Sequence, residues 1–319
     1  MNVVLTFDIE IWCNGWKRLD ESFPNSFERY VYGRSRYGDY ALPKTLEILV
    51  KHDLRAVFFV EPLFSARFGA RFLERIVRLI RDAGQDVQLH LHPEWTDEIK
   101  PPLLADVSRK RQHLIYYGLD EQIQLIGSAK ALLESAGSGP LVAFRAGSFA
   151  ADLNTYEALR RNGLKFDSSV NRCFKISAQD LRAEYDVRLP FDVRGVLTYP
   201  VSVFLDGFGR LRPAQVGACS FEEMRDAIWS ARSLNWHDFV VVSHNFELLR
   251  EDSSLPDRIV VGRFERLCAF LSIHRSELPV AGFADAPEVP VEGSASALPQ
   301  VTVTASVRRY AEQALRRLH

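Results

Sequence analysis

Residues 2–10 read NVVLTFDIE. The run Asn2–Phe7 is apolar and β-branched and reads as a strand, and it ends on two acids, Asp8 and Glu10. Alternate strand residues point to the same face, so these two carboxylates look one way. The same design recurs along the chain. Arg55–Val60 (RAVFFV) runs into Glu61. Val87–His92 ends on His90 and His92, with Pro93 and Glu94 behind them. Leu141–Phe144 runs into Arg145, Lys165–Ser168 contains Asp167, Val196–Val201 follows an irregular stretch, and Phe239–Ser243 (FVVVS) runs into His244. Helical periodicity occupies the intervals near residues 42–52, 65–83, 121–136, 152–162, 221–233 and 257–274. Strand–helix alternation calls for a mainly parallel sheet, because parallel neighbours need crossovers. About seven strands of this kind make an α/β barrel or an open doubly wound sheet.

Six of the strands end in ionisable residues. In a parallel (β/α) barrel the carboxyl ends of the strands open on one face, where active sites form. The strand starts carry only scattered charges, so the coincidence points to one functional rim. The first strand is not followed by GxGxxG and the chain has no GxxxxGK[ST], which argues against a nucleotide-binding fold.

The chain has 319 residues, 47% hydrophobic and 25% charged, with Lys+Arg (40) balancing Asp+Glu (41). That is enough for one large domain and gives no basic surplus for nucleic acid, so no nucleic-acid partner is expected. The four cysteines, Cys13, Cys173, Cys219 and Cys268, are far apart and form no CxxC, which fits a reducing compartment. No run of about 18 apolar residues exists and the N-terminus has no basic leader; a cytoplasmic location without a transmembrane segment is expected.

Two carboxylates and two imidazoles on one rim suggest a mononuclear divalent-metal hydrolase, with Zn²⁺ as the expected cofactor. The metal would lower the pKa of a water and polarise a carbonyl, a carboxylate outside the ligand set would act as base, and His244 would protonate a leaving amine. Each residue also has a plainer reading: an Asp at a strand end caps a loop, Asp167 in FDSSV is a turn residue, and Arg145 is a salt-bridge partner. Two histidines on one face of one strand are harder to explain without a ligand. Trp12, Trp16, Tyr30, Tyr32, Tyr37 and Tyr40 crowd the segment after the first strand, where they either stack on sugar rings or pack the loop on the barrel. Arg67, Arg71, Arg75 and Arg78 fall on one helical stripe, read as a solvated face.

In order along the chain, TFDIE at Asp8, RAVFFV, DVQLHLH at His90, FRAGS at Arg145, FDSSV at Asp167 and SHNFE at His244 resemble the successive motifs of the polysaccharide deacetylase family, the NodB-type carbohydrate esterases of family 4. The resemblance spans residues 2 to about 250 and is nearest to a divergent branch encoded with surface-polysaccharide genes. It implies a distorted seven-stranded (β/α) barrel, an Asp-His-His site for one divalent metal, and removal of an N-acyl group, usually acetyl, from an amino sugar or glycan precursor in surface-polysaccharide biosynthesis. Carried over residue by residue, it makes Asp8, His90 and His92 the metal ligands and Glu10, Arg145, Asp167 and His244 the catalytic set. Asp167 and His244 would form the acid pair. The match departs from the family pattern in three places. The second acid of TFDD is Ile9, so the carboxylate moves to Glu10, and the ligand and base roles of Asp8 and Glu10 are interchangeable. The position four after His90 is Glu94, which becomes an alternative third ligand or an orienter of His92. Arg145 is followed by Ala146-Gly147-Ser148 rather than proline. Two other readings stay open: a metal-dependent amidohydrolase acting on a small amide or formamido substrate, and a non-catalytic glycan-binding relative.

The barrel is expected over residues 1–284. Residues 285–304 are rich in Pro, Ala, Ser and Val and read as a linker. Residues 305–319 form a basic amphipathic helix, with Val307, Tyr310, Ala311, Ala314, Leu315 and Leu318 as its apolar stripe. It is expected to dock on the same chain, on another subunit or on a membrane surface.

Overall fold

β1 (Asn2–Ile9) is the hub of the sheet, buried from Val3 onward. It has a parallel partner on each side: β12 (Asp238–His244), registered from Asn2 opposite Asp238 to Asp8 opposite His244, and β4 (Val57–Val60), from Thr6 opposite Val57 to Ile9 opposite Val60. β5 (Asp86–Leu91), β6 (Ala143–Ala146), β7 (Phe166–Asp167) and β9 (Val196–Thr198) continue outward from β4, all parallel, and β8 (Phe191–Val193) adds an antiparallel edge. This computed structural model describes residues 1–177, 181, 185, 187–251, 253–283 and 297–318. The seven parallel strands are the seven read from the sequence.

The strands curl toward a barrel, and the segment after β9 bridges the gap to β12. Ser202 N donates to Val240 O (3.0 Å), Val240 N to Ser202 Oγ (2.8 Å), Val242 N to Ala214 O (2.9 Å) and Val216 N to Val242 O (3.2 Å). A hairpin of β10 (Val203–Leu205) and β11 (Leu211–Pro213) stands between these contacts, and a second hairpin pairs β2 (Arg34–Ser35) with β3 (Gly38–Asp39).

Strand parity sorts the side chains into two layers. Val3, Leu5, Phe7, Phe58, Val60, Val87, Leu89, Phe144, Phe239 and Val241 join the large outer core beneath the helices. Val4, Val57, Phe59, Ala143, Phe166, Leu197 and Val240 meet inside the barrel, where Phe283 plugs the lower end. The inward positions above this plug are Asp8, Glu61, His90, Arg145 and His244. The rim chemistry is therefore the continuation of the barrel's inner face.

Helices α2 (Leu42–Lys51), α4 (Ala70–Asp82), α5 (Leu119–Ser135), α6 (Leu153–Arg161), α7 (Phe221–Ser233) and α8 (Arg258–Ile273) cover the outside. Their starts carry sequence-legible caps: Asp152 accepts from Thr155 N, Ser220 from Glu223 N, and Asp257 from Ile259 N. The single helix expected over 65–83 is two, α3 (Phe64–Phe68) and α4, because Gly69 takes φ 104°, outside any helix. The segment after β1 contains α1 (Leu19–Phe27), which periodicity had not singled out. Of the arginine stripe, Arg67 pairs with Asp20 and Glu98, and Arg75 lies over Phe27 and Tyr32.

The linker expected over 285–304 lies mostly outside the described residues. Its last part runs beside β10, with Leu205 N donating to Pro299 O and Val301 N to Leu205 O, and α9 begins at Val303 (Val303–Leu318). α9 lies against α7. The face it buries is not the apolar stripe: Val307, Tyr310, Ala311, Ala314 and Leu315 are exposed. The contact is ionic instead. Arg309 is buried with its Nε 2.9 Å from Glu223 Oε1 and its Nη2 2.9 Å from Asp206 Oδ2, and Arg263 reaches Glu312 at 2.7 Å. Among the described residues no helix is long and apolar enough to cross a membrane.

Candidate metal centre

Glu10 stands just past the end of β1, held at its backbone by Asn245. The Asn245 amide accepts from Glu10 N (3.1 Å) and donates to Glu10 O (3.1 Å), a two-point clamp. The Glu10 carboxylate faces β5, where Oε1 lies 3.0 Å from His90 Nε2 and 2.8 Å from His92 Nε2. Glu10, His90 and His92 are all buried, and their ligand atoms lie within 4.8 Å of one another.

The far nitrogens fix what these rings can do. His90 Nδ1 is 2.7 Å from the carbonyl of Arg145, which only accepts, so Nδ1 carries the proton. His92 Nδ1 is 3.1 Å from Glu94 Oε2 and donates likewise. In the neutral rings both Nε2 lone pairs then aim at an anionic oxygen. Such an arrangement is repulsive unless positive charge sits among the three. A divalent cation satisfies it, and two imidazoles with one carboxylate match a zinc site with an open position. Without a cation the charge falls on the side chains themselves. Against the penalty of burial, His92, His90 and His244 hold Glu10 well below the usual carboxylate range. Burial likewise opposes a charged His92, yet Glu10 and Glu94 raise it well above the usual imidazole range. Glu94, the alternative third ligand, is the group that orients His92.

Asp8 is engaged differently. Its Oδ1 accepts from Arg145 Nη1 at 2.6 Å, while Oδ2 lies 3.9 Å from His244 Nε2. Arg145 is fully enclosed, lies over the Phe59 ring and also donates to Ser168 O and Ser168 Oγ. Asp8, Glu10 and His244 make a second cluster of ligand spacing, but there Asp8 is already matched by the guanidinium. The structure thus groups Glu10 with the two histidines and Asp8 with the arginine, the reverse of the assignment of Asp8 as ligand and Glu10 as base.

His244 pairs with Glu247, not with Asp167. His244 Nδ1 is 2.8 Å from Glu247 Oε1, and the same carboxylate accepts from Gln215 Nε2, Gly217 N and Ser243 Oγ. Burial lowers a histidine, but the Glu247 bond and the charges of Glu10 and Asp8 bring His244 up to about 9. Glu247 is the residue that sequence reasoning missed; its signal is the acid three positions after the histidine in SHNFE.

The expected acid pair of Asp167 and His244 is therefore corrected. β7 turns Phe166 into the barrel, and parity sends Asp167 the other way, toward α6. There it accepts from Tyr156 OH (3.1 Å), Ser169 N (2.9 Å) and Ser169 Oγ (2.5 Å), and burial raises it to about 6. Ser169 Oγ in turn accepts from Ala146 N (2.8 Å), so Asp167 braces the strand that carries Arg145.

The pocket between these groups, about 190 Å³, is lined by Asp8, Glu10, His90, His92, Ser148 and His244 among others. Trp12 forms part of its wall, donating to Glu10 Oε2 at 2.8 Å and standing edge-on to His92. Gly147 passes so close that a Cβ there would fall 2.7 Å from the His92 ring, and Ser148 follows at φ 55°. Glu61 sits at the inner end of β4 with Oε1 accepting from Leu63 N, and burial raises it to about 8. Of the other aromatic residues after β1, Trp16 packs on Trp95, Tyr32 is buried, and Tyr30 and Tyr37 line neighbouring clefts.

No family model matches the chain, and no curated protein does. Solved structures do match. A Mycobacterium smegmatis protein that carries the assignment polysaccharide deacetylase is 16% identical, with 90% of this chain and 94% of that chain covered and a TM-score of 0.53. A 4-alpha-glucanotransferase from Thermococcus litoralis is 10% identical, with 95% of this chain and 42% of that chain covered and a TM-score of 0.57. The fold of this chain is thus that of a polysaccharide-deacetylase-type barrel. The same fold carries glucanotransfer elsewhere, so the chemistry has to be argued from the site.

Proposed function

We propose that this chain is a metal-dependent hydrolase that removes an N-acyl group, acetyl by expectation, from an amino sugar. The observation that carries this is the split of the rim into three sets: Glu10 with His90 and His92, Asp8 with Arg145, and His244 with Glu247. A hydrolase of an unactivated amide needs an electrophile to stabilise developing charge, a base for water and an acid for the amine. Each set supplies one of them. A divalent cation, Zn²⁺ by donor type, would be held by Glu10, His90 and His92, polarise the amide carbonyl and acidify a water.

The chain's own groups do the rest. Arg145 occupies Asp8 Oδ1 and leaves Oδ2 turned to the pocket, where it accepts the proton of the attacking water. The water oxygen bonds to the carbonyl carbon, the C–N bond breaks, and His244 Nε2 gives its proton to the departing amine. Glu247 holds His244 Nδ1–H and keeps the ring charged for that step. The products are the free amino sugar and the carboxylate. The deacetylase assignment of the M. smegmatis protein with this fold supports the substrate class, and the motif resemblance is the support for a role in surface-polysaccharide synthesis.

The test is metal analysis with an acetate-release assay on N-acetyl amino sugars. The His90→Ala, His92→Ala double variant is expected to lose its bound metal and its activity together. Unchanged metal content per chain, or full activity in chelator, would overturn the reading.

A further inference from the structure

Trp12 stands two residues beyond Glu10 and is half-buried, with its indole Nε1 2.8 Å from Glu10 Oε2 and its ring edge-on to His92, the ring centres 5.1 Å apart. An indole N–H only donates, so Oε2 is the acceptor whatever charge the neighbouring rings carry. The other oxygen, Oε1, is the one that meets His90 Nε2 and His92 Nε2. The carboxylate thus has one oxygen for the histidines and one held aside. The same division occurs at the neighbouring acid, where Arg145 Nη1 takes Asp8 Oδ1 and leaves Oδ2 on the side of His244. The two donors differ in charge. A guanidinium balances the acid it pairs with. A neutral indole occupies an oxygen and leaves the charge of Glu10 for a cation. Trp12 also lines both the pocket at the rim and the adjoining cavity of about 460 Å³, so the indole stands where the two meet.

Resting on the metal reading of this site, we propose that Trp12 is a positioning residue that restricts Glu10 to a single ligand oxygen. A carboxylate ligates a metal through one oxygen or through both. Bound through both, Glu10 would fill a position that a hydrolytic site keeps open for water and the substrate carbonyl. With Oε2 committed to the indole, Glu10 offers Oε1 alone, beside His90 and His92. Three donor atoms then leave the fourth position of a tetrahedral ion to the reaction. This role is distinct from both sugar stacking and loop packing, because it rests on the indole N–H rather than on the ring face. Its mark in the sequence is the donor-only aromatic residue two places after the acid, in Glu10-Ile11-Trp12.

The test is titration of the metal-free full chain with Co²⁺, followed by the visible absorption of the bound ion, which is strong for tetrahedral and weak for octahedral coordination. It compares the wild type with Trp12→Phe, which keeps a ring and loses the N–H, and with Trp12→Gln, which loses the ring and places an N–H the same number of bonds from Cα. Wild type and Trp12→Gln should share the strong band and its response to added acetate. Trp12→Phe should bind Co²⁺ at least as tightly, since a second oxygen becomes available to it. Its band should be weaker and insensitive to acetate, and its kcat for acetate release lower by roughly tenfold or more, the size of one hydrogen bond to a charged group. Thermal melts of the three proteins separate a changed site from a changed fold. One spectrum in all three, or weaker cobalt binding by Trp12→Phe with its band unchanged, would overturn the role of Trp12 and leave the metal centre standing. A Trp12→Gln spectrum matching that of Trp12→Phe would overturn it too, because the ring and not the N–H would then matter. No cobalt bound by the wild type would remove the metal reading itself, and the role of Trp12 with it.

Discussion

The Glu10–His90–His92 cluster and the Asp167–Tyr156–Ser169 cluster are both buried polar groups at the carboxyl ends of strands of one sheet, yet they differ in what they need. The first faces the barrel interior, opens on the pocket at the rim, and has ring nitrogens and a carboxylate that repel one another unless a cation joins them. The second faces outward to α6, and each bond it makes is between a donor and an acceptor already present. One step of strand parity separates them. A strand-end acid is catalytic or structural according to which side of the strand it occupies, and an arrangement complete in itself marks a brace.

The two clusters respond differently to substitution. The largest shift in pH dependence is expected at the acid arm. Glu247→Gln removes the partner that raises His244 to about 9. In the proposed reaction the charged ring is the acid, so activity should fall as pH rises through that value. In the variant the limb moves toward the ordinary value of about 6.5, and the rate at pH 8 drops roughly thirtyfold. Stability moves with the same sign: His244 is raised in the folded state, so its contribution is full below about 6.5 and is lost as pH rises through about 9. A pH–rate profile decides it, and an unmoved alkaline limb would return His244 to some other partner.

Asp167→Asn tests the brace. An amide cannot accept all three donors, so the variant should lose about 1–3 kcal/mol in a urea melt while the alkaline limb stays in place and kcat changes by less than about tenfold. A shifted limb would mean that Asp167 couples to His244 after all. The smallest effect is expected for Glu61→Gln. With Glu61 raised to about 8, the wild-type side chain is neutral at pH 7, as glutamine is. A raised carboxyl contributes stability that is full below its ordinary 4.5 and is lost as pH rises through about 8. Melts of the two proteins should therefore agree below about pH 4.5 and favour the variant increasingly as pH rises to about 8, levelling off above it.

Much of this was legible in the sequence. All seven parallel strands follow from β-branched runs between helical intervals, and a shared rim follows from the ionisable residues that end six of them. That His90 and His92 share a face follows from strand parity, whereas the place of Glu94 behind His92 comes from the 3-10 turn that starts at Pro93, which parity does not show. Three things were not legible. Asp8 and Glu10 share a face, so parity does not divide their roles; the division comes from Arg145 reaching Asp8 across the barrel. β7 is two residues long, too short to show which side Asp167 takes. α9 buries Arg309 and turns Glu312 and Arg316 inward rather than its apolar stripe, because buried Glu223, Asp206, Arg263 and Asp257 pair with them, and pairs so distant in sequence leave no local pattern.

The central claim is that Glu10 belongs to the metal and Asp8 to the base, and bound metal per chain in Glu10→Ala and Asp8→Asn tests it most directly. Glu10→Ala should lose the metal. Asp8→Asn should keep it while kcat falls roughly 10²–10⁴-fold, as for a missing general base. Metal lost from Asp8→Asn and retained by Glu10→Ala would contradict the account.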